Sequence, residues 1–291
     1  MTAEYKCRII RELEHKYCVE KMCRELNVSR ASYYRYKVGY IPVRSSRDLE
    51  MGSKIAAIYE ANNKRYGSPR IRAELSRIGI HTSKRRVERI MDQLNIHALQ
   101  KKSHKNTTDS KYSLSVAPNL LNRNFTAAHP NEKWVADTTY IRTTCGWIYL
   151  AAVVDLHSRK VIGWAMGNGN TKELVIKALN MAITRRKPGK GLICHSDRGA
   201  QYTSHEYQEI LWENGIRASM SRKGNCWDNA VMESFFHSLK VELLYENKYF
   251  TRIKTERLIF EYIEVYYNRY RLHSALGYKS PEEYEKQSLV A

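Results

Sequence analysis

The stretch from Cys226 to Glu246 has the spacing of an amphipathic helix. At about 100° per residue, its larger apolar side chains fall on one stripe. That stripe holds Met232, Phe235, Phe236, Leu239 and Leu243. A second stripe, roughly a quarter-turn away, holds Asn229, Glu233, His237 and Lys240. The pattern predicts one helix fixed by its apolar face. It leaves open whether Glu233 is a solvated side chain or a functional carboxylate.

Upstream of this helix, the hydrophobic pattern is that of strands. Three β-rich runs, WVADTTYI, WIYLAAVVD and RKVIGWAM, are joined by short connections and predict an antiparallel meander. A helix capped by Thr171 follows, and then a buried strand, LICHSD, over residues 192–197. A helix over 203–214 and a short strand, IRASMS, complete the set. This order predicts an α/β, ribonuclease-H-like core with a mixed five-stranded sheet and helices.

The N-terminal part of the chain is predicted to be all-α. Residues 3–16 form one helix, and VEKMCRELNVSRASYYRYK has the form of a helix-turn-helix with Ser29 capping its second helix. The basic and aromatic side chains of that second helix are Arg30, Tyr33, Tyr34, Arg35 and Lys37. They favour DNA contact, although a helical hairpin that contacts protein fits the same pattern.

Three further helices follow a connector that contains Gly39, Pro42 and a pair of serines. The first covers about 48–62, the second runs from a Ser68 cap to Gly79, and the third runs from Thr82 or Ser83 to about Asn95. The basic side chains on the outer face of the third are Lys84, Arg85, Arg86 and Arg89. This is a second helix-turn-helix candidate, whose arginines either enter a DNA groove or contact phosphates alone.

These elements predict five segments. A helix-turn-helix-like segment over 1–44 precedes a helical DNA-binding domain over 45–99. Residues 100–130 are polar, basic and without periodicity, so they are predicted to be a linker that lies along DNA. The catalytic core is predicted over 131–250, and a helical extension over 251–291.

The charge distribution indicates a polyanionic partner. The net charge is +19, of which +14 lies in residues 1–130 and +5 in residues 131–291. DNA or RNA is the expected ligand of such a basic segment. No apolar run approaches the roughly eighteen residues of a membrane span, and the N-terminus resembles no signal peptide. We therefore expect a cytoplasmic protein without a membrane partner. The six cysteines contain no CxxC pair, which argues against a zinc ribbon.

Two aspartates occupy positions otherwise suited to burial. Asp137 lies within the first strand and Asp197 ends the fourth. Because these strands are neighbours in the predicted fold and the last helix faces them, Asp137, Asp197 and Glu233 could converge. Converging carboxylates repel each other unless divalent cations separate them, and hard oxygen ligands suit Mg²⁺ or Mn²⁺. For each acid alone, a structural cap or a salt bridge is the alternative.

Four ordered segments make the chain resemble a DDE transposase of the bacterial "insertion sequence three" family, whose core is similar to retroviral integrases. They are WVADTTYI, HSDRGAQY, GNCWDNAVMESFFHSLKVE and YNRYRLHSALGYKSPEEY. YGSPRIRAEL with RRVERIM resembles the helix-turn-helix segment that this family has before its core. The zinc-binding segment of the retroviral relatives is not found. The chain looks like the downstream-frame product, so an upstream-frame protein is a possible partner.

The resemblance implies that Asp137, Asp197 and Glu233 are the catalytic residues and bind two Mg²⁺ or Mn²⁺ ions. It also implies that Lys240 contacts DNA near the reacting phosphate. Asn229, on the same helix face, is a further DNA-binding candidate, with a metal-bound water as the alternative ligand. His195 and Arg198 flank Asp197 and are candidates for DNA contact or for supporting the metal ligands, with a purely structural role as the alternative. The DNA-binding candidates of the N-terminal helices are Arg30, Arg35, Lys84, Arg85, Arg86 and Arg89.

The implied reaction is phosphoryl transfer on double-stranded DNA. Water cuts at the terminal inverted repeats, and the freed 3′-hydroxyl attacks a target phosphate, with two cations at the attacking and leaving oxygens. A homo-oligomer is expected because two ends must be held together. A DNA-binding regulator and a structure-specific nuclease on the same fold are the alternatives.

Overall fold

A computed structural model of the chain describes residues 3–39, 43–98, 116–244 and 250–288. Two compact units are present, one from Met1 to Ala98 and the other from Leu99 to Ala291. Within the described ranges, no helix combines the length and the apolar character that crossing a membrane requires.

The first unit begins with three helices, α1 (Ala3–Leu13), α2 (Val19–Glu25) and α3 (Arg30–Lys37). Cys7, Ile10, Cys23 and Tyr33 form their buried core. The Oγ of Ser29 accepts a hydrogen bond from the backbone N–H of Ser32, so the predicted cap of α3 is present. Tyr33 was predicted to face solvent, and this is wrong, because its ring is buried and its hydroxyl donates to Glu14.

Three more helices follow in this unit, α4 (Val43–Ala61), α5 (Ser68–Arg77) and α6 (Lys84–Gln93). The Oγ of Ser83 accepts from the N–H of Arg86 and caps α6 as predicted. Ser68 is the first residue of α5 rather than its cap, and its hydroxyl donates to Glu88 instead. α4 begins earlier than predicted, so the connector before it is shorter.

The second unit is built on five strands: β1 (Lys133–Thr143), β2 (Gly146–Asp155), β3 (Val161–Gly167), β4 (Ile193–Ser196) and β5 (Arg217–Met220). Their order in the sheet is β3-β2-β1-β4-β5. β1, β2 and β3 form the antiparallel meander, whereas β4 and β5 run parallel to β1. The predicted ribonuclease-H-like arrangement is therefore confirmed.

Helices cover both faces of this sheet. On one face, α7 (Lys172–Arg186), α8 (Ala200–Thr203) and α9 (His205–Glu213) pack against strand residues that include Trp134 and Ala136. On the other face, α10 (Ala230–Leu239) packs against residues that include Val135 and Leu150. Alternate residues of β1 thus enter opposite cores, as the two-residue period of a strand requires.

The C-terminal residues complete the second of these cores. α11 (Arg252–Phe260) continues into a π-helical segment, Glu261–Tyr267, whose Tyr262, Ile263 and Tyr267 pack with the α10 side chains. A short 3-10 turn at Ser274–Leu276 and α12 (Pro281–Ser288) follow. The helical extension predicted for this region is thus part of the core packing.

The end of the predicted linker also belongs to this unit. Residues 99–115 lie outside the described residues, but Leu121 is only 1% exposed within the core cluster. The N–H groups of Leu120 and Leu121 both donate to the Oγ of Ser219 on β5. The prediction of a linker along DNA is wrong for this part, because an apolar side chain and paired amides hold it on the sheet.

Gly163 permits the closest approach between a strand and a helix. A Cβ placed there would lie 2.7 Å from the amide nitrogen and 2.8 Å from the Cβ of Ala182, and closer still to the carbonyl oxygen of Ala178. Gly163→Ala should therefore push α7 off β3 and lower the free energy of unfolding by about 1–3 kcal/mol. Urea denaturation followed by circular dichroism measures this loss.

Gly189→Ala is the matched control, because a Cβ at Gly189 meets no atom within 4 Å. Its free energy of unfolding should stay within about 0.5 kcal/mol of the parent value. Equal stability of the two variants would contradict the close packing of α7 on β3.

Candidate active site

Asp137 and Asp197 lie next to each other at the point where the pairing between β1 and β4 ends. β1 and β4 run parallel, with Val135 opposite His195 as the last paired residues. Asp137 comes two residues after that pair in β1, and Asp197 directly follows the end of β4. Both side chains are half-buried. β4 ends beside the middle of β1, and this pairing brings Asp137 and Asp197 close together.

The electrostatics of this pair are unfavourable. Burial raises the pKa of Asp137 well above its usual range, and the charge of Asp197 raises it further. Burial also raises the pKa of Asp197. Each carboxylate accepts one backbone N–H, Asp137 from Thr138 at 2.7 Å and Asp197 from Gly199 at 2.9 Å. One such bond each leaves most of the carboxylate lone pairs open to further ligands.

Glu233 is the third predicted acid and lies on the exposed side of α10. Its charge adds to the elevation of the pKa of Asp137, and partial burial raises its own pKa. Asp197 and Glu233 therefore both act electrostatically on Asp137. In the described parts of the chain, no three His, Cys, Asp or Glu side chains are already arranged to hold a metal ion.

The predicted apolar stripe holds α10 in place. All five members are buried: Met232, Phe235, Phe236, Leu239 and Leu243. The predicted single helix, however, has three parts, because a 3-10 turn at Cys226–Asn229 precedes α10 and a π-helical turn at Lys240–Leu244 follows it. Its predicted end at Glu246 lies outside the described residues.

Asn229 lies in the 3-10 turn and not on the solvated stripe. It is 6% exposed, and its Nδ2 donates to the carbonyl oxygen of Ala136, the residue before Asp137. The predicted DNA contact of Asn229 is therefore wrong for this arrangement, because the side chain is enclosed. Its amide ties the start of α10 to the strand that holds Asp137.

Asp228 anchors the same turn from the other side. This carboxylate is fully buried and receives Nε and Nη2 of Arg222 at 2.9 and 2.8 Å, Nε of Arg123 at 2.9 Å and Nδ2 of Asn119 at 3.0 Å. The hydrogen bonds from Arg222, together with those from Arg123, hold the pKa of Asp228 well below its usual range. Asp228 thus joins the beginning of the Glu233 helix to the segment before β1. The sequence analysis missed this residue, although it stands in the WDN part of a quoted motif.

His195 is not available to DNA. Its side chain has no exposed surface, Nδ1 lies 2.8 Å from the Oγ of Ser219, and Nε2 lies 3.1 Å from the Oγ of Ser221. Burial lowers the pKa of His195 to about 4, so the ring is uncharged at neutral pH. The predicted DNA contact is wrong, because His195 packs β4 against β5.

Arg198 and Tyr202 complete the surroundings of Asp197. Arg198 is half-buried and its Nε donates to the carbonyl oxygen of Ser221 at 2.6 Å. Tyr202 is buried, and its hydroxyl makes no hydrogen bond to the described residues. Burial and then the charge of Asp137 raise the pKa of Tyr202. Tyr202 was missed by the sequence analysis, although it is the last residue of the HSDRGAQY segment.

Lys240 reaches the acids from the π-helical turn. Its charge lowers the pKa of Asp137, and its Nζ lies 5.2 Å from the centre of the Tyr140 ring. In the same turn, Glu242 binds Arg271 with Nη2–Oε1 and Nε–Oε2 distances of 2.8 and 2.9 Å. Both side chains of this ion pair are 7% exposed. Tyr262 donates to the same carboxylate. Tyr262 and Arg271, the last residue of the YNRYR motif, thus fix the turn in which Lys240 lies.

The N-terminal DNA-binding candidates lie in a separate unit and differ in their partners. Arg30 pairs with Glu20, and Nε of Arg35 donates to the carbonyl oxygen of Ala31. Lys84 pairs with Glu88, and Asp48 binds both Arg86 and Arg89 at 2.7 and 2.6 Å. A cleft of about 540 Å³ is lined by Arg47, Ser83, Arg85, Arg86 and Arg89. The basic face predicted for α6 is therefore present, with Asp48 orienting two of its arginines.

Comparison with known families agrees with both units. An "HTH-like domain" model matches residues 46–104, and two "Integrase core domain" models match residues 127–226 and 233–289. Transposase InsF of insertion sequence IS3A from Escherichia coli K12 is 39% identical over 283 residues, which are 97% of this chain and 98% of that protein.

The chain belongs to the IS3 family of transposases. The 31 kDa protein of insertion element IS600 from Shigella sonnei is similarly related, with 41% identity over 91% of this chain and 98% of that protein. Among solved structures, the simian T-cell lymphotropic virus intasome in complex with PP2A regulatory subunit B56 gamma has a chain 18% identical to this one. It aligns with a TM-score of 0.47 over 79% of this chain and 74% of that chain.

Membership in the IS3 family places the chain among polynucleotidyl transferases with an integrase core. The first integrase-core match ends at Cys226 and the second begins at Glu233. The interval between them contains the 3-10 turn anchored by Asp228 and Asn229. The predicted resemblance to this family is confirmed.

The contribution of the Glu242–Arg271 ion pair can be tested through the stability of the protein. Arg271→Met would leave a buried carboxylate without its cation and should lower the free energy of unfolding by about 3–5 kcal/mol. Glu242→Gln combined with Arg271→Met removes both charges and should recover most of that loss. Urea denaturation of the parent, the single variant and the double variant measures both values. A loss below about 1 kcal/mol for Arg271→Met would contradict the role of this pair.

Proposed function

We propose that the chain cuts DNA at the ends of an insertion sequence and joins the freed ends to target DNA. In this proposal Asp137, Asp197 and Glu233 hold the divalent cations that the reaction requires. The observation that supports it best is the pair of adjacent, half-buried aspartates within β1 and directly after β4: burial raises the pKa of both, and the charge of Asp197 raises the pKa of Asp137 further.

The donor set fits a hard divalent cation. Among the described residues, Asp137 and Asp197 each accept one backbone hydrogen bond, so carboxylate oxygens remain for a cation. Mg²⁺ and Mn²⁺ prefer such oxygen ligands and retain several waters. A bound cation would offset the repulsion that disfavours ionisation of both acids. When bound, such cations would supply positive charge that stabilises the transferring phosphoryl group.

The chain's own residues supply position and charge. Glu233 lies on the exposed side of a helix whose opposite face is buried, so the helix can hold it in a fixed position relative to the two aspartates. Lys240 brings a positive charge to the same region and would contact the DNA backbone beside the reacting phosphate. No side chain is required to become covalently attached to DNA. Positioning and charge neutralisation then do most of the catalysis.

The partners follow from the same proposal. Double-stranded DNA with terminal inverted repeats is the substrate, and we assign its binding to residues 45–99, where α6 presents its arginines. Two ends must be held together, so a homo-oligomer forms on paired ends. An upstream-frame protein is a further partner in the proposal. The site of action is DNA in the bacterial cytoplasm.

Glu233→Gln should abolish cleavage and strand transfer while DNA binding stays within about threefold of the parent protein, because the amide removes one charge and little volume. We expect at least about a hundredfold loss in both steps. The assay uses radiolabelled duplexes that end in the element's repeats, with Mg²⁺ or Mn²⁺. Gel-shift titration measures DNA binding.

Glu213→Gln is the control, because it neutralises an exposed carboxylate on α9 and should keep full activity. Full activity of Glu233→Gln would overturn the assignment of that acid. Cleavage by the parent protein without any joined product would favour a structure-specific nuclease. Binding without either reaction would favour a DNA-binding regulator.

A further inference from the structure

Two large aromatic side chains lie exposed together on the β1–β2 hairpin. Tyr140 is 50% exposed and Trp147 is 48% exposed. Their ring centres are 5.1 Å apart with an interplanar angle of 83°, an edge-to-face contact. Tyr149, directly opposite Tyr140 in the strand register, extends the cluster at 6.5 Å. Single exposed aromatic residues are common, but this group forms a continuous surface.

The same surface has a positively charged border. The Nζ of Lys240 lies 5.2 Å from the centre of the Tyr140 ring. Arg142 is exposed and lies opposite Trp147 in the register of the hairpin. Aromatic rings beside cations are the combination with which proteins bind unpaired nucleotides, since bases stack on the rings and phosphates pair with the charges.

The aromatic surface is close to the acids. Asp137 and Tyr140 are three residues apart in one strand, about 10 Å along the backbone, and their side chains leave opposite faces of β1. Stacked bases of one DNA strand rise about 3.4 Å each, so this distance spans about three nucleotides. Lys240 bridges the interval, because it acts electrostatically on Asp137 and contacts the Tyr140 ring.

We propose that Tyr140 and Trp147 form a stacking platform for an unpaired DNA base, one to three nucleotides from the reacting phosphate. A base within a duplex has both faces covered by its neighbours, whereas an unpaired base has a free face to stack. The platform would thus hold the end of the DNA in a frayed state, which lets the acids reach the phosphate. This inference rests on the proposed function, since it takes DNA as the ligand of this region.

The test compares two duplexes that differ only at one end, where the last few base pairs are either matched or mismatched. Both contain 2-aminopurine near the 3′ end, whose fluorescence is quenched when it stacks. Stacking on aromatic side chains tolerates any base sequence, so the element's own ends are not needed. The full chain is titrated with each duplex in EDTA, so that binding is measured without reaction. We expect tighter binding of the mismatched duplex, with quenching.

Trp147→Ala should weaken binding of the mismatched duplex about tenfold and remove the quenching, while binding of the matched duplex changes little. Trp147→Phe, which keeps a ring, should restore most of both. Trp212→Ala is the control, because Trp212 on α9 is 81% exposed and is not placed near the acids. It should bind both duplexes as the parent does.

Three results would overturn the platform. In the first, Trp147→Ala and Tyr140→Leu both bind the mismatched duplex as tightly as the parent. In the second, Trp147→Ala loses affinity for both duplexes equally, which indicates a general contact. In the third, Trp147→Ala changes the oligomeric state in light scattering and leaves DNA binding unchanged, which indicates a contact between copies of the chain. Because no divalent ion is present, failure here is separate from failure of the cleavage assay.

Discussion

The carboxylates of Asp137 and Asp197 repel each other across the boundary between two parallel strands, and the rest of the catalytic unit is arranged around that repulsion. Asp137 is held within β1 and Asp197 directly follows β4, its parallel neighbour, so neither acid can move away without disturbing the sheet. Burial makes the repulsion stronger, because fewer water molecules screen the charges. A fold that maintains such a pair requires either a proton or a cation between the acids. In the proposed function of this IS3-family transposase, a divalent cation takes that position.

The helix that presents Glu233 is held at both ends by residues distant in the sequence. At its start, Asp228 binds Arg123 from the segment before β1, and Asn229 binds the backbone beside Asp137. At its end, Glu242 binds Arg271 from the C-terminal motif. Between these points the buried stripe supplies the apolar contacts. Residues far outside the three acids thus determine where Glu233 and Lys240 lie.

Much of this arrangement was predictable from local sequence. The caps at Ser29, Ser83 and Thr171 are present because a cap depends only on neighbouring residues. The apolar stripe of α10 follows from a helical period, and the strand order follows from short connections. The burial of His195 was not predictable, since the two serines that bind it come from β5 and from the residue that directly follows it. The 3-10 and π-helical turns likewise depend on long-range ion pairs, which no local pattern contains.

The central claim is that the paired aspartates form a cation site, and a crystal structure grown with Mn²⁺ tests it most directly. Anomalous scattering at the manganese edge locates the ion independently of the protein density. The account predicts a manganese peak between the carboxylates of Asp137 and Asp197, and its loss in crystals of Asp137→Asn. Well-ordered Asp137 and Asp197 side chains with no manganese between them would contradict it.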